Sequence, residues 1–221
     1  MTITRTLALR GAAGLAALTA SAALTLGMTT ALFSDSETSN ANTFTAGTVS
    51  VGLGSESVTC EVAQVMPGDS SAGWSGGSND LDTCVYDVTY TGDAPAWLAV
   101  DVLVEGGSPS LYTGDGDGFQ MLLTNDDSIE FVNGVEYLDA SGSATTIIGG
   151  TSVEDLLVSA TPASQGDGVR FDLNHQLPTA APNALQGGSV SVTLTFHAVQ
   201  SDNQPIGACV AGRVCESIIW G

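Results

Sequence analysis

Two histidines, four cysteines and a scatter of Asp and Asn are the residues of this 221-residue chain that could do chemistry. A zinc peptidase needs two or three neutral His or carboxylate ligands and a carboxylate base, often set as H-E-x-x-H on one helical face. His175 and His197 stand 22 residues apart and neither has a Glu beside it. His197 falls in a strand-like run, out of phase with Phe196, which points it toward solvent or an edge. His175 precedes Leu177-Pro178 in a turn-like stretch, and both read as surface or edge histidines. No G-x-S-x-G elbow is present for a Ser/His/Asp hydrolase. Asp115 and Asp117, with Asp126 and Asp127 further on, are candidate calcium ligands, because hard cations take six to eight oxygens and the interleaved Gly116 and Gly118 let the backbone turn around them. The order an EF-hand requires is missing, so a solvated acidic loop is the plainer expectation. These residues predict no enzyme and no obligatory cofactor.

The cysteines predict structure instead. Cys60, Cys84, Cys209 and Cys215 contain no C-x-x-C pair, and an even count in an exported chain reads as disulfides. Proximity favours Cys60–Cys84 and Cys209–Cys215 among the three pairings that four cysteines allow. Loop entropy alone gives them about 3.5 and about 2.4 kcal/mol.

Export is predicted by the N-terminus. Arg5 and Arg10 precede an uncharged run from Gly11 to Ser34, and Thr29 and Ala31 supply the small residues a signal peptidase needs. Residues 1–31 are the expected signal peptide, which leaves the mature protein without a membrane segment. The chain has no lysine, only four Arg against 24 Asp plus Glu, and a formal charge of −20. Loss of both leader arginines makes that −22 (−20 − 2). Nucleic acid is excluded, since nothing can displace counterions from phosphate. Isopeptide-linked and sortase-linked pilus chemistry is excluded with it, because both need lysine.

The mature chain alternates with period two. Val49, Val51 and Leu53, then Val85 to Thr91, Trp97 to Val104, and Val190 to Phe196 read as half-buried strands bounded by Gly, Pro, Asn and Asp. Ser152 to Ala160 is the helix candidate, with Ser152 as N-cap and Glu154 and Asp155 in the first turn. The expected fold is all-β: a jelly-roll-like antiparallel sandwich with long loops and at most one or two short helices. Residues 47–221 form that single domain, and 32–46 form an arm ahead of it.

Four motifs, the first of them in two parts, carry a resemblance. "FSDSETS" from Phe33 is followed by "NTFTAGT" from Asn42, then Met66-Pro67-Gly68-Asp69-Ser70, then "YTGDAPAWLAV" from Tyr90, and last Gln186-Gly187-Gly188-Ser189 running into Val190 to Gln200. Their order resembles the TasA/camelysin family of secreted proteins processed by the signal peptidase SipW. The resemblance implies a jelly-roll fold and homopolymeric fibres of the biofilm matrix. These form by donor-strand exchange, with an N-terminal strand completing a neighbour's sheet. It also carries a second function, since camelysin is described as a cell-surface metalloprotease. A non-assembling surface binding module is the third reading. The donor segment would present Leu32, Phe33, Phe44 and Ala46, with Val49 onward pairing inside its own domain.

Overall fold

The computed structural model describes residues 47–220 apart from 53, 76–80 and 203. The leader, the arm and its four predicted donor residues Leu32, Phe33, Phe44 and Ala46 lie outside the described residues.

Among the described residues eleven strands follow one another: β1 (Gly47–Val51), β2 (Gly54–Ala63), β3 (Cys84–Tyr90), β4 (Ala96–Gly106), β5 (Gln120–Asn125), β6 (Glu130–Gly134), β7 (Glu136–Leu138), β8 (Ala144–Thr146), β9 (Ser152–Leu157), β10 (Gly168–Gln176) and β11 (Ser189–Gln200). A seven-stranded sheet runs β1-β3-β10-β5-β6-β7-β8, and a four-stranded sheet runs β2-β11-β4-β9. The expected all-β sandwich is what forms. Every strand pairing is antiparallel except one: β1 lies parallel to β3, with Val49 opposite Val88 and Val51 opposite Tyr90. Val49 and Val51 thus pair inside their own domain, as their alternation predicts.

The period-two pattern is the cause of the two layers. Along β11, Val190, Val192, Leu194, Phe196 and Ala198 are buried while the residues between them are half-buried. Successive strand side chains point to opposite faces, so one row of each sheet enters a shared core. Phe171 of β10 bridges the layers, 5.1 Å from Phe196 in the other sheet and 5.4 Å from Phe131 in its own. Tilted aromatic pairs of this kind contribute about 0.5–1.5 kcal/mol beyond the area they bury. The Cys60–Cys84 disulfide ties β2 to β3 and so fastens one sheet to the other.

The loops obey their sequence chemistry. Met66-Pro67-Gly68-Asp69 closes with the Asp69 N–H donating to the Met66 carbonyl at 2.9 Å, and Gly68 has φ 104°. Pro fixes the second position of such a turn and Gly supplies the positive φ of the third. At Gly92 the need is space: a Cβ would strike the ring of Tyr90, whose hydroxyl donates to the Ala94 carbonyl at 2.5 Å.

The helix expected over Ser152 to Ala160 does not form; the segment is β9, paired with β4. The register slips between Val100 and Val102, so that Asp101 faces both Glu154 and Asp155, a β-bulge with Asp155 at φ 64°. The extra residue turns a period of two into burial of Val153, Leu156 and Leu157. That i, i+3, i+4 spacing imitates a helix. The only helical turn among the described residues is a short 3-10 turn, Asn183–Leu185.

Candidate functional site

A carboxylate–imidazole cluster lies on the outside of the four-stranded sheet, and each sheet has two edges. The bulge builds the first. Asp101 accepts the Asp155 backbone N–H on Oδ1 at 2.8 Å, and its Oδ2 lies 2.6 Å from His197 Nε2. Asp101 and His197 are diagonal neighbours on β4 and β11, both on the solvent side of the sheet and both still largely covered. His197 Nδ1 is buried and has no hydrogen-bond partner among the described residues. The Asp155 carboxyl is pushed up to about 6, first by burial and then by the charges of Asp101 and Glu154, against a smaller pull from His197. The group has a fixed imidazole and an acid tuned toward neutrality, but no hydroxyl or thiol within reach of the free ring nitrogen. It can share protons; it has no nucleophile to activate.

His197 therefore faces outward as expected, on an inner strand instead of an edge. His175 differs more. It sits in β10, between β3 and β5, is 2% exposed, and stacks on Phe119 at 5.7 Å. Its ring nitrogens have no hydrogen-bond partner among the described residues, and burial lowers its pKa to about 4 against the favourable backbone of Leu173. The signal for this was present in the sequence: Val169, Phe171, Leu173, His175 and Leu177 form one alternating apolar row. The two histidines thus belong to different sheets, one in the core and one outside. Among the described residues no group of three or more His, Cys, Asp or Glu is placed to hold a metal ion. Among the described residues the two histidines and the carboxylates near them do not form the donor set of a peptidase zinc.

The four candidate calcium ligands are not brought together. Asp115 and Asp117 precede β5 and Asp126 and Asp127 follow it, so the six-residue strand holds the pairs about 20 Å apart. Asp115 is occupied locally: it accepts from the Thr113 hydroxyl at 2.8 Å and the Asp117 N–H at 3.1 Å, bonds that lower its pKa. Asp126 donates its N–H to the Arg170 carbonyl at 3.0 Å.

All four cysteines are paired as proximity predicts, Cys60–Cys84 and Cys209–Cys215. Structural disulfides of this kind belong to an oxidising compartment outside the cytoplasm. The second bridge closes a C-terminal clip that sequence reasoning missed. Trp97, Leu157, Cys215 and Ile218 form a small separate core there, with Val199, Ile206 and Trp220 against it.

The clip also settles one sheet edge. Leu157 N–H donates to Arg213 O at 2.9 Å, Gly212 N–H to Leu157 O at 2.8 Å, and Cys215 N–H to Asp155 O at 2.9 Å. The outer edge of β9 is sealed by these bonds. At the other end of that sheet, β2 pairs with β11 and, among the described residues, with nothing on its outer side. In the larger sheet the edges are the five-residue β1 and the three-residue β8.

No curated protein matches this chain. Solved structures of lysozyme inhibitors align over 70% of this chain and 100% of theirs: PliG of Salmonella Typhimurium, at 11% identity with a TM-score of 0.25, and PliG of Aeromonas hydrophila, at 11% with 0.24. A family model described as camelysin metallo-endopeptidase matches residues 7–73, a span that takes in β1, β2 and the Pro67-Gly68 turn. Over residues 7–73 the chain is thus similar to the camelysin family.

Proposed function

We propose that this protein is a secreted structural subunit of extracellular, biofilm-matrix fibres, polymerising with copies of itself by N-terminal donor-strand exchange. A SipW-type signal peptidase removes residues 1–31, and the exposed arm 32–46 enters a neighbour. One observation carries the reading: the sandwich has its core from Val51 onward, and among the described residues the ten-residue outer edge of β2, the strand that follows β1, has no partner. An open edge presents unpaired N–H and C=O groups, which proteins normally blunt with Lys, Pro or a cover. This chain has no Lys to place there, and β2 has no Pro. A head-to-tail contact between an arm and an edge does not close on itself, so it yields filaments.

Deletion of Leu32–Thr43 from the mature chain tests the reading by negative-stain microscopy. The truncated protein should fold cooperatively and form no fibres; fibres of unchanged width and length would refute donor-strand exchange. The peptidase reading has the description of the matched family on its side. Casein digestion by the purified mature protein, sensitive to a chelator, would establish it in place of the structural one.

A further inference from the structure

We infer that the C-terminal clip is a redox latch: a low-molecular-weight thiol that reduces Cys209–Cys215 releases it from the sandwich, while Cys60–Cys84 stays closed. The inference goes beyond fibre assembly and holds with or without it.

The clip joins the two sheets along one side of the sandwich. Three of the bonds that hold it go to β9: Leu157 N–H to the Arg213 carbonyl at 2.9 Å, Gly212 N–H to the Leu157 carbonyl at 2.8 Å, and Cys215 N–H to the Asp155 carbonyl at 2.9 Å. A fourth goes to the end of β7, where the Val214 N–H donates to the Leu138 carbonyl at 3.2 Å. All four lie within the ring that Cys209–Cys215 closes. Residues 209–215 form only turns and isolated bridges. Apart from Val214, the buried apolar side chains of the clip pack in their own small core and not in the main one. Fixing that much irregular backbone costs more conformational entropy than four edge hydrogen bonds return. The disulfide lowers this cost by restricting the open state, so its loss frees the ring.

The two bridges differ in access. Cys60 and Cys84 are both fully buried in the main core. Cys209 is half-buried at the margin of the clip, whereas its partner Cys215 is buried. An attacking thiolate therefore reaches Cys209 Sγ first, forms a mixed disulfide with it and expels Cys215 Sγ as a thiolate. A second thiol cleaves the mixed disulfide, so two external thiols become one disulfide while both cysteines end as thiols. Ser217 sits at this exchange, its Oγ 3.1 Å from Cys209 Sγ and 3.7 Å from Cys215 Sγ. Its hydroxyl proton, donated to the Ile206 carbonyl at 2.7 Å, can turn to the departing sulfur. Release leaves the Leu157 N–H and the Leu157 and Asp155 carbonyls without these partners and uncovers Trp97, which opens the outer edge of β9.

The full oxidised chain in a series of dithiothreitol concentrations, without denaturant, tests the latch. Alkylation and mass mapping should find Cys209 and Cys215 labelled at a thiol concentration at least about tenfold below the one that labels Cys60 and Cys84. Hydrogen exchange at that lower concentration should quicken by at least about tenfold in peptides carrying Leu157 and residues 212–215, with β11 unchanged. Labelling of all four cysteines together, or of none without denaturant, refutes the latch. Labelling of Cys209 and Cys215 with exchange at Leu157 unaltered refutes it as well, since packing then holds the clip. Faster exchange in β11 too would mean that the whole sandwich opens, which overturns a local release.

Discussion

His175 shows how one side chain can couple this fold to pH. Its ring is inside the core, so charging it means placing an ion where burial has already lowered the pKa to about 4. The unfolded chain holds the same ring near its ordinary value of 6.5. Between those values the unfolded state binds the extra proton, so stability falls as pH drops from about 6.5 toward 4. Between pH 7 and pH 5 the loss is about 2 kcal/mol. Asp155 acts with the opposite sign: its folded pKa of about 6 exceeds the ordinary 3.8, so the folded state takes up the proton first and gains stability as pH falls through 6. Much of that gain is screened, because the group is half open to water. His175→Leu keeps an apolar side chain of similar volume. On going from pH 7 to pH 5 the variant should retain more stability than the parent, its signed change in unfolding free energy from urea titrations lying about 2 kcal/mol above the parent's whatever Asp155 contributes to both. An unchanged difference would mean that His175 is not the acid-sensitive group.

Among the elements, the C-terminal clip is the part with a free energy of its own to lose. Its core is separate from the main one, and two indole N–H groups fasten it: Trp97 Nε1 to the Gln204 carbonyl at 2.9 Å and Trp220 Nε1 to the Cys215 carbonyl at 3.2 Å. Replacing Cys209 and Cys215 by Ala should cost about 2 kcal/mol and lower Tm by roughly 4–8 °C in a chain of this size. Calorimetry would show it, and an unaltered Tm would mean that packing alone holds the clip. What the sequence made legible among the elements follows from who their neighbours are. β3 and β11 alternate cleanly because only one face of each enters the shared core, whereas β4 is covered on both faces from Ala96 to Val100 and reads as an apolar run; the adjacent pairs Cys60–Cys84 and Cys209–Cys215 needed only loop length. β9 was misleading because a bulge, set by its pairing with β4, gave it helical spacing. The Asp101–His197–Asp155 cluster was equally hidden, since its three members come from strands that only the register brings together. The clip was invisible for a similar reason: its apolar residues are sparse and become a core only against Trp97 and Leu157.

The whole molecule is dominated by charge. With residues 1–31 removed, as proposed above, the chain would carry −22 by formal count, with Arg170 and Arg213 as its only side-chain cations besides histidine, and Arg170 is paired with Asp172 at 2.9 Å. Self-repulsion on this scale would oppose the addition of a subunit to the end of the proposed fibre. In the proposed fibre the arm would bring the acidic Asp35 and Glu37 to a neighbour of the same charge sign. Backbone pairing and burial of one or two apolar anchors, about 1.5–3 kcal/mol each, must outweigh that repulsion. The balance is set by the ionic atmosphere, because the Debye length falls from about 30 Å at 0.01 M salt to about 8 Å at 0.15 M. Fibre elongation should therefore accelerate steeply over that range, as followed by light scattering with microscopy of the endpoints. The acidic pairs Asp115/Asp117 and Asp126/Asp127 lie at opposite ends of β5, so calcium and magnesium should act equally at matched ionic strength. Elongation that is indifferent to salt would show that charge does not limit assembly. A calcium effect well beyond that of magnesium would place a specific oxygen site at the subunit contact, formed only when two chains meet.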